Sequence, residues 1–214
     1  MARYFAHSLS GKDEKNWQEL KDHLVSVADS ARSSADKFGA GAMGEVAGLL
    51  HDVGKYSAEF QRKLHGAATR VDHSTAGARI VHERYPPLGR LLAYVIAGHH
   101  AGLANGTGDG DLAPLATRLD AKKYSRVPAC AAWEEELALP GQLAWTQPAP
   151  HPDTDIARGR RGHCLALLTR MLLSALVDAD RLDTEAFYAK AEGKGDPARG
   201  GWQPLWISRK TAAG

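Results

Sequence analysis

Along most of this chain apolar residues recur three and four positions apart, the spacing that lines one face of an α-helix. Trp17, Leu20, Leu24, Val27 and Ala31 keep that step and predict an amphipathic helix over about Asn16–Ala35. A glycine-rich connection, Asp36–Gly44, follows, then a helix over about Glu45–Asp52. Ser57 is placed to cap a short helix bearing Phe60 and Leu64, which Gly66 ends. Asp72 or Ser74 caps another that runs to Tyr85, where Pro86-Pro87 stops it. The clearest row comes next: Leu88, Leu91, Leu92, Val95, Ile96 and then His99. Leu112–Leu119 and Ala129–Leu139 predict shorter helices, and the proline-rich residues 141–155 an excursion or lid. From about Ile156 to Ala186 a long helix stacks Leu168, Leu172 and Leu176 every four residues. No stretch alternates as a half-buried strand would, so the expected class is all-α: a helical domain over residues 1–190, then a tail of linker composition over 191–214.

Polar residues interrupt these apolar faces at a few places, each near a helix end. His23 lies at the edge of the first stripe, and His51-Asp52 ends the apolar run Ala47–Leu50. His73 falls at a helix start, and His99, with His100 beside it, takes the next slot on the leucine face. Asp180 continues the Leu168–Leu172–Leu176 row, whereas Asp178 falls on the row of Met171, Ser174 and Ala175. Taken singly, His23 reads as an ordinary helix-edge histidine, His73 as a polar boundary residue and Asp180 as a last-turn acid beside Arg181. Taken together they require many coincidences. Burying an imidazole or a carboxylate costs several kcal/mol unless it is partnered. A divalent metal satisfies both types at once, and helical bundles build such sites from inward-facing side chains on facing helices. Gly54 is expected as the residue just past a helix end, which would put His51 and Asp52 in the last turn, with Lys55 projecting beyond it.

Composition narrows the field without choosing a function. The 214 residues, 43% apolar and 24% charged, suffice for one sizeable core. A formal net charge of +2 is too small to announce a polyanion partner, so any such contact must be local. Arg62-Lys63, Lys122-Lys123-Arg126 and Arg158-Arg160-Arg161 are the candidate clusters. Cys130 and Cys164, far apart and in no CxxC pattern, fit a reducing compartment. The N-terminal stretch lacks the apolar core of a signal peptide, and the apolar run Leu165–Val177 is interrupted by Arg170 and too short to span a bilayer. A soluble, cytoplasmic protein is the expectation.

Several segments resemble, in order, the motifs of one family: AHS at Ala6–Ser8, WQELKDHL at Trp17–Leu24, LLHDVGKYSAEFQRKL at Leu49–Leu64, DHSTAGA at Asp72–Ala78, AGHHAGL at Ala97–Leu103 and LLSALVDADRLDTE at Leu172–Glu185. The chain resembles the HD phosphohydrolase superfamily, and more narrowly the HD nuclease domain of the CRISPR-associated helicase-nuclease of type I interference systems. The resemblance implies a helical, divalent-metal-dependent domain that cleaves single-stranded DNA. It assigns His23, His51, Asp52 and Asp180 to a principal metal, and His73, His99 and His100 to a second, the same seven residues that the interrupted faces single out. It carries Lys55 over as a phosphate-facing cation beside Asp52, and matches His7 and Ser74 without giving them a duty. A helicase domain or subunit and an RNA-guided effector complex are the implied partners. No GxxxxGK[ST] occurs in the sequence, so the implied helicase would be a separate chain or a missing portion of a longer one. Mixed histidine and aspartate ligation favours one or two ions of Mn, Fe, Ni or Co over Mg alone. Two other functions fit the same residues: a nucleotide or cyclic-nucleotide phosphohydrolase of the superfamily, and a metal-stabilised interaction module.

Overall fold

Small residues set the centre of the molecule. In the computed structural model, which describes residues 2–106, 113–130, 133–143 and 155–195, helix α1 (Leu20–Asp36) packs along α2 (Gly41–Leu50). The contact is backbone to backbone. A Cβ on Gly44 would lie 2.6 Å from the Ala31 carbonyl oxygen, and one on Gly48 would lie 2.6 Å from the Ala28 nitrogen. With no Cβ at either position the two helices close up, and Leu24, Val27, Met43, Val46 and Leu50 fill the space around the seam. The predicted connection Asp36–Gly44 is therefore shorter than expected. Gly41 to Gly44 are already helical, and glycine serves packing there rather than turning.

The first helix also starts later than its apolar stripe suggests. Gln18–Glu19 (β2) pairs antiparallel with Phe5–His7 (β1), and α1 begins only at Leu20, whose N–H donates to the Tyr4 carbonyl at 2.8 Å. This ribbon corrects the expectation of no sheet. Strands of three and two residues are too short for alternation to register. Gln61 ties the ribbon down: its amide donates to the Phe5 and Lys55 carbonyls and its oxygen accepts from Phe5 N–H.

The middle of the chain follows the predicted stops. Ser57 caps α3 (Ala58–Leu64) by accepting from Phe60 N–H. Asp72 accepts from Thr75 N–H at the start of α4 (Ser74–Arg84), and α5 (Leu88–Gly98) ends immediately before His99. Helices α6 (Leu115–Leu119) and α7 (Trp133–Glu136) are shorter than predicted, and residues 107–112 and 131–132 lie outside the described residues. The predicted lid and tail lie largely outside them as well, over 144–154 and 196–214.

Helix α8 (Asp155–Ala191) crosses α1, α2 and α5 and closes the core. Leu168, Leu172, Leu176 and Ala179 are buried on its inner row. Over Gly159–Ala191 it is long and apolar enough to cross a membrane by length and composition, which the shorter apolar run read from sequence does not anticipate. Its inner row nevertheless packs into the same core as α1, α2 and α5, while Leu165, Leu167 and Met171 on the helix are exposed.

Candidate metal centre

The chain leaves α2 at Leu50, passes through His51 and Asp52, and enters a 3-10 turn, Val53–Tyr56. Gly54 sits inside this turn without a left-handed backbone, so it does not end a helix in the predicted way. Its reason is a close approach: a Cβ there would overlap the His73 carbonyl oxygen and stand 2.5 Å from the His73 Cα. The start of α4 is thereby pressed against the turn that carries Asp52.

Asp52 becomes the centre of the cluster. Its Oδ2 lies 3.6 Å from His23 Nε2 and 3.4 Å from His51 Nε2, while its Oδ1 lies 3.3 Å from His73 Nε2 and 3.4 Å from His99 Nε2. Asp180 reaches in from α8, with Oδ1 3.4 Å from His23 Nε2 and 3.6 Å from His51 Nε2. His100 Nε2 stands 2.8 Å from His73 Nε2. Two four-residue groups result, each with ligand atoms close enough to share one ion: His23, His51, Asp52 and Asp180, and Asp52, His73, His99 and His100. Each group uses a different oxygen of Asp52.

Three imidazoles are held in the orientation a metal needs. His51 Nδ1 and His99 Nδ1 each lie 2.7 Å from a backbone carbonyl, Gly48 and Ile96 respectively. A carbonyl can only accept, so Nδ1 carries the proton and Nε2 faces the cluster. His23 Nδ1 lies 2.7 Å from Asp183 Oδ2, with the same consequence. The inward Nε2 atoms of His23, His51 and His99, and Asp52 Oδ1, are buried without a hydrogen-bond partner among the described residues. Such groups are costly unless something pairs with them, and convergent imidazole and carboxylate donors suit a divalent cation. The residues present fit the ion.

Charge follows from this crowding. Burial pushes the His51 imidazole down, but the Asp52 and Asp180 carboxylates outweigh it and raise it to about 10. Burial pushes the Asp52 carboxyl up, but Lys55, His51 and His73 hold it well below the usual carboxylate range. Burial lowers His73 to about 4, against the pull of Asp52 and with help from Lys55 and His99. It also lowers His100 to about 4, assisted by His99, and His7 to about 3, assisted by Lys55. His73, His100 and His7 are therefore neutral at neutral pH. A sign follows for the metal-free protein. Unfolded, these three would titrate near ~6.5. Below that the unfolded chain binds protons the native one refuses, so the contribution of these three is full above about pH 6.5 and falls toward about pH 4, whereas that of His51 is full below about pH 6.5 and is lost toward about pH 10. Denaturant midpoints of metal-free protein should drop over the lower window, and a flat profile there would contradict it.

All seven predicted ligands come together, and Asp180 rather than Asp178 is the acid that faces the cluster; Asp178 is exposed. Lys55 is at the site but is not simply free for a phosphate. It is buried, with Nζ 2.6 Å from Asp52 Oδ2 and 3.3 Å from the Ala6 carbonyl. Ser74 acquires a partner: Arg118 donates to Ser74 Oγ and Thr75 Oγ1 on α4 and to the Ala97 carbonyl on α5, tying the segment after His73 to the one before His99. His7 stands with its ring 5.2 Å from that of His23 and its Nε2 3.2 Å from Thr184 Oγ1. The basic clusters are not drawn in. Arg160 and Arg161 are exposed near the start of α8, about 30 Å along the helix from Asp180 at 1.5 Å per residue. The Arg158 side chain lies outside the described residues. Arg62 pairs with Glu59 at 3.4 Å, and Lys122, Lys123 and Arg126 lie on the exposed stretch after α6.

Asp183 is the residue that sequence reading missed. It follows Asp180 by three positions, which puts it on the same helix face and was the available signal. Besides His23 it accepts from Gln18 Nε2 at 2.6 Å. Partners of this kind orient a ligand ring, and losing one weakens metal affinity about 10- to 100-fold. Asp183→Ala should show that loss in a metal titration while His51, Asp52 and Asp180 remain; unchanged affinity would remove the assigned role.

Comparison with known proteins adds one match. The profile of the HD domain family covers residues 20–136, a span that holds every predicted ligand except Asp180. No curated protein matches the chain.

Proposed function

Because this chain belongs to the HD domain family, whose members include metal-dependent phosphohydrolases and nucleases, we propose that it is a divalent-metal-dependent nuclease that hydrolyses phosphodiester bonds of single-stranded DNA. The finer reading is that it acts in the cytoplasm with a helicase and an RNA-guided complex in CRISPR interference, supported by the motif order from Ala6 to Glu185. The observation that carries the chemical part is Asp52, one carboxylate shared by two metal-capable groups on the wall of a cavity of about 360 Å³.

Divalent ions held by these residues would supply activation of water and neutralisation of charge on the phosphate, as paired ions do in phosphodiester hydrolysis. The chain's own side chains do the rest. Lys55, bonded to Asp52 Oδ2, holds that carboxylate in one orientation, so that each oxygen serves its own histidines. Lys55 and Arg181 both line the cavity and bring positive charge to where a bridging phosphate would lie. His7 and Thr184, bonded to each other, form part of the same wall, and His7 adds no charge to it.

The test uses the metal-loaded protein with circular single-stranded DNA in one arm and mononucleotides and cyclic nucleotides in the other. Fragmentation of the circle with nucleotides untouched is the expected result. Turnover of nucleotides alone would transfer the protein to the phosphohydrolases. Inactivity on both with Mn, Fe, Ni, Co and Mg would make it an interaction module.

A further inference from the structure

A second cavity, of about 630 Å³, lies between the N-terminal segment and the last turns of α8, and the hydrolytic reading leaves it unused. Four cations line it, Arg3, Lys12, Lys15 and Lys190, together with the aromatic rings of Trp17 and Phe187. Two acids on the same wall, Glu19 and Asp22, leave the lining net positive. Arg3 is engaged by Glu19 at 2.6 Å and Lys15 by Asp13 at 3.3 Å, whereas Lys12 and Lys190 have no ion-pair partner among the described residues. Trp17 is held in place: its ring meets Phe5 edge-on at 5.4 Å and its Nε1 donates to the Lys12 carbonyl at 3.2 Å. A fixed aromatic surface beside unpaired cations is the composition that binds single strands, because every base has a face to stack and every phosphate a charge to meet.

The position fits a strand that continues from the metal centre. Phe187 follows Asp180 by seven residues, about 10 Å along α8, and Lys190 by ten, about 15 Å. Contacts join the linings of the two cavities. Gln18 lines the second cavity and donates to Asp183, which holds His23. The His7 ring lies 5.2 Å from that of His23 and 6.3 Å from that of Phe187.

We infer that this cavity is a binding subsite for single-stranded nucleic acid flanking the scissile phosphate, with Lys12 and Lys190 meeting the backbone and Trp17 and Phe187 the bases. The inference rests on the nuclease reading for its link to catalysis, but not for the binding itself. The test therefore has two readouts on the full chain, wild type and the double variant Lys12→Glu/Lys190→Glu, both positions being exposed. Binding of a fluorescein-labelled oligo(dT) is followed by anisotropy on metal-free protein at several salt concentrations, and turnover of bis(4-nitrophenyl) phosphate on metal-loaded protein. The variant should bind oligo(dT) at least about tenfold more weakly, with a salt slope shallower by about 1.4, while hydrolysis of the small diester is unchanged. Equal binding by the two proteins, or no binding by the wild type, overturns the subsite. A wild type that binds the strand through this cavity yet never cleaves it refutes the nuclease reading and leaves the subsite standing.

Discussion

Asp52→Ala is expected to lower hydrolysis at least about a thousandfold and to empty both metal-capable groups together. No other side chain in the cluster belongs to both: Oδ1 faces His73 and His99, and Oδ2 faces His23 and His51. The substitution also strands Lys55, whose ammonium is buried and 2.6 Å from the carboxylate that would be lost. Breaking a buried pair by removing one partner costs about 3–5 kcal/mol, so the single variant should melt early as well as lose activity. The two effects separate in the double variant Asp52→Ala/Lys55→Met, where no charge is stranded. Its melting temperature should recover most of the loss while its metal content, read by elemental analysis, stays at zero. Asp178→Ala, on the exposed side of α8 and outside both metal-capable groups, should leave the metal content unchanged. A double variant that still binds metal would place the ions elsewhere.

How far this centre could be read beforehand depended on one physical signal, a polar residue where the helical period calls for an apolar one. His99 after Leu92, Val95 and Ile96, and Asp180 after Leu168, Leu172 and Leu176, are anomalies of that kind, and both face the cluster. Asp183 gave a weaker signal. It lies among polar neighbours near the helix end, and its value emerges only when Gln18 and His23 are brought to it. The Arg118 contacts were illegible for a related reason, since an arginine in a short helix carries no mark of the two helix ends it will join. The glycines misled in a consistent way. Gly44 and Gly54 read as chain punctuation, whereas each marks a place where another backbone comes too near for a Cβ. Period and capping speak to what a segment does alone; close approach depends on the partner segment, which sequence spacing does not record.

Gly54→Ala tests that last distinction and should be among the most damaging glycine changes in the chain's first half. The obstructing atoms are the His73 carbonyl oxygen and Cα, which are backbone and have no rotamer by which to withdraw. Either the Val53–Tyr56 turn must open or the start of α4 must move away from it. Overpacking of this sort costs about 3 kcal/mol, the upper part of its usual range. The displacement has a direction with consequences for the site. His23, His51, Asp52 and Asp180 reach the cluster from α1, the end of α2 and α8, and do not depend on α4. His73 does, and its 3.3 Å approach to Asp52 Oδ1 is the contact that lengthens. The variant should therefore lose the group of Asp52, His73, His99 and His100 first, so that a metal titration shows one binding step disappear while the other survives. Gly162→Ala is the matching control: it sits in α8 where an added Cβ would meet nothing within 4 Å, and alanine there should stabilise the helix slightly. If Gly54→Ala melts with the wild type and both binding steps persist, the turn does not clamp α4 against Asp52, and the second group owes its geometry to Arg118 instead.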